Sequence, residues 1–214
     1  MEYSVCLLAA GKGSRTNLEY NKMFYHLEDG RMVLDVSLHP FLNDDDCKQI
    51  IIVCAKHEVD FVKHQYRNEE KVMVTIGGNT RQDSVYNGLM EVTMPYVFIH
   101  DGARPYLKEE QIESLKKTLQ TEDACLLMVP SVDTVKIVEN GYVKETLIRE
   151  QLYNAQTPQC FKTELIRKCH LDAKESGKIG TDDAQLVEWY GNAPVKVVLG
   201  DASNIKITLP SDLK

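Results

Sequence analysis

Short runs of apolar and β-branched residues recur along the chain, and segments with helical spacing lie between them. The strand candidates are 4–8, 49–54, 72–76, 96–100, 124–129 and 195–199. They are nearly continuously apolar, which is typical of strands buried on both faces of a parallel sheet. The amphipathic helix candidates lie near 33–42, 57–68, 80–92, 108–120, 162–175 and 181–190. This alternation predicts a three-layer α/β fold with a mostly parallel central sheet.

The loop after the first strand candidate carries the clearest chemical signal. Residues 8–15 read LAAGKGSR, and Lys22 follows seven residues after Arg15. Small residues let the backbone approach a ligand closely, and successive N–H groups in such a loop form a concavity that binds anions. The cations Arg15 and Lys22 add positive charge beside it. The segment therefore predicts a triphosphate site, with Gly11 and Gly13 in the cradle; the alternative is an ordinary strand-to-helix turn.

Two common nucleotide-binding patterns do not fit this loop. The dinucleotide fingerprint needs a third glycine and an acidic residue at the end of the second strand. Here the third glycine is missing and the second strand runs into Cys54, Ala55 and Lys56. The P-loop pattern G-x-x-x-x-G-K-[ST] is missing as well. NAD binding and P-loop chemistry are therefore disfavoured.

Composition limits the classes of partner. The 214 residues carry a formal net charge of −7, which argues against nonspecific binding to nucleic acid or to an anionic membrane. No apolar stretch approaches the ~20 residues that span a bilayer, and the strand-like first residues are not expected to be a signal peptide. The six cysteines form no C-x-x-C pair, which favours reduced structural thiols and a cytoplasmic location.

Two further loops follow strand candidates and carry polar groups. Residues 99–105 read IHDGARP, where Asp101 could hold Mg²⁺ or a ribose hydroxyl, or simply cap the turn and pair with Arg104. Residues 77–84 read GGNTRQDS and precede a helix. Their backbone could face an anion or a base edge, or serve only as a helix cap.

The remaining signals are weaker taken singly. Residues 157–159 (TPQ) and 181–184 (TDDA) read first as a turn and a helix cap, and Lys206 reads first as a solvated strand residue. Residues 132–159 contain two β-rich runs around an Asn-Gly, which predicts a hairpin. Because this stretch has few apolar residues, we expect a projecting arm that completes a dimer. No linker or repeat divides the chain, so one domain over 1–214 is predicted.

The order of these motifs matters more than any one of them. The chain contains L-A-A-G-x-G-x-R, a lysine seven residues on, G-G-x-x-R-x-x-S-V, H-D-x-A-R-P, T-P-Q-x-F, T-D-D-A and N-I-K-I-T. From residue 4 to about 213 it resembles the 2-C-methyl-D-erythritol 4-phosphate cytidylyltransferase family. The resemblance implies a Rossmann-like nucleotidyltransferase fold and a homodimer whose arms reach into the partner's active site. It also implies transfer of CMP from CTP to methylerythritol phosphate with release of pyrophosphate, using a divalent cation, normally Mg²⁺.

The resemblance also implies residue roles. Arg15 and Lys22 match the positions that stabilise the transition state. The positions that match cytidine recognition are Ala9, Ala10, Gly78, Asn79 and Ser84. Asp101 and Arg104 match the pair beside the metal, the ribose and the phosphoryl centre. The positions that match binding of the polyol phosphate are Thr134, Arg149, Thr157 and Lys206.

Some positions depart from the family pattern. Asn21 stands where the family usually has proline, which we expect to leave the loop less rigid. Gly102 replaces a usual alanine, and Asn79 stands where an acidic residue is common. The given sequence ends at Lys214, where relatives usually continue into a final helix; if that helix packs on the fold in relatives, lower stability is expected here.

Two rival functions remain open. A ribitol-5-phosphate cytidylyltransferase shares the chemistry but tends to have L-A-G-G and D-A-V-R-P, so Ala10 and Ala103 favour methylerythritol phosphate. A module that binds CTP without turnover would not need Arg15 and Lys22 together with Asp101.

Overall fold

A computed structural model describes residues 1–11 and 20–213 of the chain. The strands are β1 (Tyr3–Leu8), β2 (Cys47–Cys54), β3 (Val72–Ile76), β4 (Tyr96–Asp101), β5 (Ala124–Pro130), β6 (Lys136–Glu139), β7 (Tyr142–Thr146), β8 (Tyr153–Lys162) and β9 (Lys196–Leu199). The α-helices are α1 (Val33–Leu42), α2 (Val59–Gln65), α3 (Arg81–Glu91), α4 (Glu109–Thr118), α5 (Thr163–Ser176) and α6 (Asp183–Tyr190).

Seven strands form one sheet in the order β3-β2-β1-β4-β8-β5-β9. All of its neighbouring pairs are parallel except the two that β8 makes with β4 and β5. The predicted α/β class with a mostly parallel central sheet is therefore confirmed.

Helices cover both faces of this sheet. Within β2, Ile50 and Ile52 join one buried cluster with apolar residues of α1, α2 and α4. Ile51 and Val53 join the other with residues of α3, α5 and α6. Successive side chains of a strand point to opposite faces, so a continuously apolar strand supplies both cores. This explains why the six apolar runs predicted the three layers.

Strand β8 is the element that the sequence pattern did not predict. Residues 157–159 read as a turn, because proline lacks an N–H for a strand ladder. In the structure the paired residues of β8 are 153–155 and 159–162, so Pro158 lies between two paired stretches. The Thr157–Pro158 bond is cis. The turn interpretation is therefore wrong: these residues belong to an inner strand of the sheet, between β4 and β5.

The predicted hairpin is present as β6 and β7. Asn140 and Gly141 connect the strands with φ of 52° and 82°, the positive values that a two-residue hairpin turn needs. Every residue of both strands is exposed, so the hairpin projects from the sheet. The predicted range 132–159 is too long, because the chain joins the main sheet from Tyr153 onward. We call residues 132–152 the arm.

The carboxyl ends of β1 and β4 lie side by side, with Leu8 opposite Asp101. The loops after β1, β3 and β4 therefore share one rim of the sheet, as expected for parallel strands. Within residues 1–11 and 20–213, none of the helices combines the length and apolarity that a membrane span requires.

Candidate active site

A cavity of about 500 Å³ opens at this rim. The loops after β1, β3 and β4 contribute to its wall, together with the turn at Lys22 and the C-terminal segment at Lys206. Its lining residues are Leu8, Ala10, Gly11, Lys22, Met23, Gly78, Asn79, Thr80, Arg81, Ser84, Asp101, Ala103 and Lys206. Another cavity, of about 290 Å³ between α1 and α4, is lined by acidic side chains such as Asp44, Asp45 and Glu113. Such a wall is unsuited to an anion.

The carboxylate of Asp101 lies between two cations. Asp101 is the last residue of β4 and is buried. Lys206 Nζ lies 2.6 Å from its Oδ2, and Arg81 Nε lies 3.4 Å from its Oδ1. Burial raises the pKa of Asp101, but the opposing effects of Arg81 and Lys206 are together larger, so this pKa lies well below its usual value. Asp101 is therefore ionised at neutral pH.

Arg81 is itself held by a second buried acid. Its Nη1 lies 2.9 Å from Asp183 Oδ2, and Asp183 Oδ1 lies 3.1 Å from His170 Nε2. Burial raises the pKa of Asp183, but the charge of Arg81 and the hydrogen bond from His170 bring it below its usual value. A chain of polar contacts thus runs from His170 at the base to Asp101 at the cavity.

The backbone of Asp101 is fixed from behind by Thr157. The Thr157 hydroxyl accepts the Asp101 N–H at 3.0 Å and lies 3.0 Å from His100 Nδ1. Burial lowers the pKa of His100 to about 4, so its ring is neutral at neutral pH. Its Nε2 lies 3.1 Å from the Arg104 carbonyl and must donate there, so Nδ1 accepts from Thr157. The Thr157 hydroxyl therefore accepts one hydrogen bond and donates another within the protein.

Arg104 joins the β4 loop to the segment that carries Lys206. Its Nη1 donates to the Asn204 carbonyl at 2.7 Å. The Asn204 amide donates to the Thr157 carbonyl at 3.0 Å, and Ile207 N–H donates to the Ala103 carbonyl at 2.8 Å. These bonds pin the segment on both sides of Lys206. They explain why this lysine reaches Asp101 instead of pointing into solvent.

Lys22 begins a 3-10 turn at Lys22–Phe24 and is buried. Its Nζ donates to the Ile207 carbonyl at 2.6 Å. The lysine therefore spans from the β1 side of the cavity to the C-terminal segment. Lys22 and Lys206 line the same cavity although 184 positions separate them in the sequence.

The loop before α3 is built by a helix cap. Thr80 accepts the Asp83 N–H at 3.0 Å, and Asp83 accepts the Thr80 N–H at 3.1 Å, which is a capping box. Ser84 Oγ accepts from Gly78 N–H at 3.0 Å. A Cβ on Gly78 would lie 2.2 Å from Asp83 Cβ, so only glycine fits there. The cap interpretation is correct, and the capped loop also lines the cavity.

The family comparison agrees with this geometry. The model of the 2-C-methyl-D-erythritol 4-phosphate cytidylyltransferase family matches residues 3–214. The chain belongs to this family. A member named for this activity from Halalkalibacterium halodurans is 41% identical, covering 100% of this chain and 94% of the relative. One from Clostridioides difficile is 39% identical, covering 99% and 90%.

Solved structures of this cytidylyltransferase family have the same fold. The 4-diphosphocytidyl-2C-methyl-D-erythritol synthase of Anaerococcus prevotii superposes with a TM-score of 0.88 at 34% identity, covering 99% of this chain and 92% of that one. The 2-C-methyl-D-erythritol 4-phosphate cytidylyltransferase of Francisella tularensis gives a TM-score of 0.85 at 31% identity, covering 100% and 97%.

The structure brings together most of the cytidylyltransferase site residues predicted from the sequence. Those that line the cavity are Ala10, Gly11, Lys22, Gly78, Asn79, Ser84, Asp101 and Lys206. Those that adjoin it as supporting residues are Ala9, Arg104 and Thr157. Gly13 and Arg15 lie outside the described residues. The roles of all these residues stay predictions.

Two predicted residues lie apart from the cavity. Five lining residues were not predicted as site residues, and Arg81 is the charged one among them: Leu8, Met23, Thr80, Arg81 and Ala103. Thr134 is on the arm and Arg149 is in a 3-10 turn of the arm, and both are exposed. Arg81 was quoted in the motif G-G-x-x-R but was not predicted as a site residue. An arginine in the first turn of a helix usually faces solvent, and the buried acid Asp183 that holds it is distant in sequence. The presence of Arg81 in the motif G-G-x-x-R was the signal that could have indicated a site residue.

Proposed function

We propose that this chain transfers CMP from CTP to 2-C-methyl-D-erythritol 4-phosphate and releases pyrophosphate. The observation that carries the proposal is the set of cations around Asp101 at the rim cavity, in a chain that matches the cytidylyltransferase family over residues 3–214. Lys22, Arg81 and Lys206 line one cavity of about 500 Å³, a volume in the range of small-molecule sites.

The reaction needs charge stabilisation more than a protein nucleophile. A phosphate oxygen of the polyol phosphate forms a bond to the α-phosphorus of CTP, and the bond from that phosphorus to the β-phosphate bridge breaks. Both reactants are anions, so repulsion and developing charge make up much of the barrier. Catalysis of this kind relies on positioning and electrostatic stabilisation. In the proposal, Lys22 and Arg15 stabilise the charge that develops at the α-phosphate and Lys206 binds the polyol phosphate.

The nucleoside is proposed to bind on the α3 side of the cavity. Gly78 and Asn79 bring backbone groups to the wall there, and the capped start of α3 follows directly. Ala10 is small enough to leave room for a base, and Ser84 keeps the loop in place through Gly78.

Asp101 suits a divalent cation such as Mg²⁺. Magnesium takes one or two carboxylates and completes its shell with substrate phosphate oxygens and water. Asp101 is ionised and faces the cavity. Its two carboxylate oxygens contact Lys206 and Arg81, so a divalent cation would replace part of these contacts. Among the described residues, no group of three or more His, Cys, Asp or Glu side chains could hold a metal by itself. A cation held by Asp101 and the nucleotide phosphates would neutralise phosphate charge.

The arm is proposed to complete the site of a second copy in a homodimer. Thr134 and Arg149, which match substrate-binding positions, lie on the exposed arm. Several large apolar side chains of the arm are exposed in the single chain, as expected of a surface that packs against a partner. They are Val132, Val138, Tyr142, Val143 and Ile148. We also propose a cytoplasmic location, which the six free, buried cysteines support.

The test is pyrophosphate release from CTP and Mg²⁺ with each of two polyol phosphates. We expect release with 2-C-methyl-D-erythritol 4-phosphate and little with D-ribitol 5-phosphate. Release with ribitol phosphate alone would assign the rival transferase activity. If neither substrate gave release while CTP bound, the chain would be a nucleotide-binding module and the proposal would be wrong.

A further inference from the structure

Asn21, the residue before Lys22, makes an unusually complete set of hydrogen bonds. Its side chain is buried, with 8% of the residue exposed. The amide nitrogen donates to the Ala9 carbonyl at 2.7 Å and to the Glu58 carboxylate at 3.0 and 3.2 Å. The amide oxygen accepts the Met23 N–H at 3.2 Å. The partners fix the orientation of the amide, because Ala9 and Glu58 offer only acceptors and Met23 offers a donor.

These bonds join three separate parts of the rim. Ala9 follows β1, Glu58 ends the 3-10 turn after β2, and Met23 lies in the turn that Lys22 begins. Glu58 is equally buried and also accepts the Ala55 N–H at 3.1 Å. The amide and the carboxylate therefore hold the Lys22 turn against the ends of two central strands.

We infer that Asn21 and Glu58 act together as a positioning pair for Lys22. The inference rests on the catalytic role proposed for Lys22 and assigns the pair no contact with substrate. A lysine side chain has many rotamers, and restricting it to one costs conformational entropy. A fixed backbone reduces the number of positions that the ammonium group can reach. The hydrogen bonds of Asn21 fix the backbone beside Lys22, and the bond from Lys22 Nζ to the Ile207 carbonyl fixes the end of the side chain.

The backbone explains how asparagine replaces the proline expected at this position. Asn21 has φ of −66°, the value to which proline is restricted. A proline would keep this backbone but could not bond to Ala9, Glu58 or Met23. Proline would hold this turn through its ring, whereas asparagine holds it through side-chain hydrogen bonds. The expectation of a less rigid loop did not consider these bonds.

Glu58 makes the pair interdependent. A buried carboxylate that loses its donors is destabilising because it stays desolvated. Removal of Asn21 would leave Glu58 with the Ala55 N–H and with His57 Nε2 at 3.8 Å. The carboxylate would then draw in water or shift, and the turn that it braces would move with it.

The decisive experiment is a double-mutant cycle on kcat, with CTP, Mg²⁺ and 2-C-methyl-D-erythritol 4-phosphate. We expect Asn21→Ala to lower kcat about 10- to 100-fold, the scale of a small misplacement of a catalytic group, with KM for CTP little changed. In a Lys22→Ala background the same substitution should have little further effect on kcat, because its target is already missing. A loss of the same size in both backgrounds would mean that Asn21 acts elsewhere, and the inference would be wrong.

Charge exchange within the pair gives a second test. Asn21→Asp places two carboxylates together and should lower kcat further than Asn21→Ala. Combination with Glu58→Gln restores a donor and an acceptor and should recover part of kcat. Failure of the double variant to exceed Asn21→Asp would contradict the pair.

Gln49 supplies the matched control, because its amide also ties three segments, bonding Ser4, Thr93 and the Glu91 carbonyl. Gln49→Ala should lower the Tm and leave kcat unchanged. If kcat of Gln49→Ala fell as much as kcat of Asn21→Ala, the loss in Asn21→Ala would be explained by general destabilisation and the inference would be wrong.

Failure of the proposed function gives a different result. In that case the wild-type chain itself would release no pyrophosphate, whereas failure of the Asn21–Glu58 inference leaves wild-type activity intact.

Discussion

The rim of the sheet and the arm represent opposite ways of placing a functional residue. At the rim, Arg81 and Lys206 are held by the buried carboxylates of Asp101 and Asp183. On the arm, every residue of β6 and β7 is exposed. Within the described residues, contacts between side chains account for the geometry of the rim, whereas both strands of the arm are left exposed. Buried contacts within one chain thus organise the rim part of the proposed site, whereas the two predicted residues of the arm, Thr134 and Arg149, are exposed.

The largest effect is expected from removing a rim cation. Lys22→Ala should lower kcat by about 10²–10³, the usual cost of removing one preorganised charge from a transition state. Arg15→Ala, at a position outside the described residues, is expected on the same scale. Steady-state kinetics with a thermal melt would check this. Near-wild-type turnover in a folded Lys22→Ala variant would remove the catalytic assignment.

The next effect tests how strongly folding holds the rim. Asp183→Asn should lower the free energy of unfolding by about 3 kcal/mol at neutral pH, because it removes the buried carboxylate that pairs with both Arg81 and His170. Urea unfolding at pH 7 measures this. A change within experimental error would mean that Asp183 does not hold Arg81.

The pH dependence follows from the same acid. The folded-state pKa of Asp183 is lowered, so its contribution is complete above the unfolded value of about 4 and is lost as pH falls below it. Wild type should therefore lose stability more steeply than Asp183→Asn as the pH falls below about 4. Parallel curves for the two proteins would contradict the assignment.

A smaller effect is expected on the arm. Arg149→Ala should raise KM for the polyol phosphate about tenfold, equivalent to about 1.4 kcal/mol of binding free energy, and leave CTP binding unchanged. Isothermal titration with CTP and kinetics with the polyol phosphate separate the two.

Mixing two variants tests whether the arm acts on the site of its own chain or on the site of a partner. At a polyol phosphate concentration below KM, copies carrying Lys22→Ala mixed with copies carrying Arg149→Ala should regain part of the activity, because one site of each mixed dimer has both residues. Without recovery in mixtures shown to exchange subunits, the arm would not act on the partner's site.

The smallest effect is expected from an exposed ion pair on the arm. Lys144 lies 2.8 Å from Glu139, and both side chains are more than half exposed. Lys144→Ala should change the free energy of unfolding by less than about 0.5 kcal/mol and leave kcat unchanged. It is the matched lysine control for Lys22→Ala, measured by the same melts and kinetics. A comparable loss of kcat would mean that charge anywhere on the surface matters, and the contrast between rim and arm would fail.

The sequence predicted those parts of the fold in which one local pattern decides the structure. Apolar runs gave six strands, and Asn140-Gly141 gave the hairpin turn. Strand β8 escaped because Pro158 and its polar neighbours resemble a turn until the neighbouring strands are known. The buried side chain of Gln159 in this strand bonds to the start of α6, to the Asp182 carboxylate and to the N–H groups of Asp183 and Ala184.

The site could be predicted in composition but only partly in arrangement. Loop motifs indicated Asp101 and the glycines, since loops at the carboxyl ends of parallel strands converge. Lys206 came from the family resemblance, because a lysine in a strand-like run alone indicates solvent. The contacts of Arg81 with Asp183 and of Asn21 with Glu58 were not predicted, because both join residues that lie far apart in sequence.

Product identification by ³¹P NMR is the most direct test of whether the rim cavity joins CMP to 2-C-methyl-D-erythritol 4-phosphate. With CTP, Mg²⁺ and the polyol phosphate, we expect equal growth of two sets of signals, from a pyrophosphate diester and from free pyrophosphate. The Lys22→Ala protein should give neither at comparable times. Appearance of CDP with inorganic phosphate, or an unchanged CTP spectrum with wild-type protein, would show that the cavity does not catalyse CMP transfer.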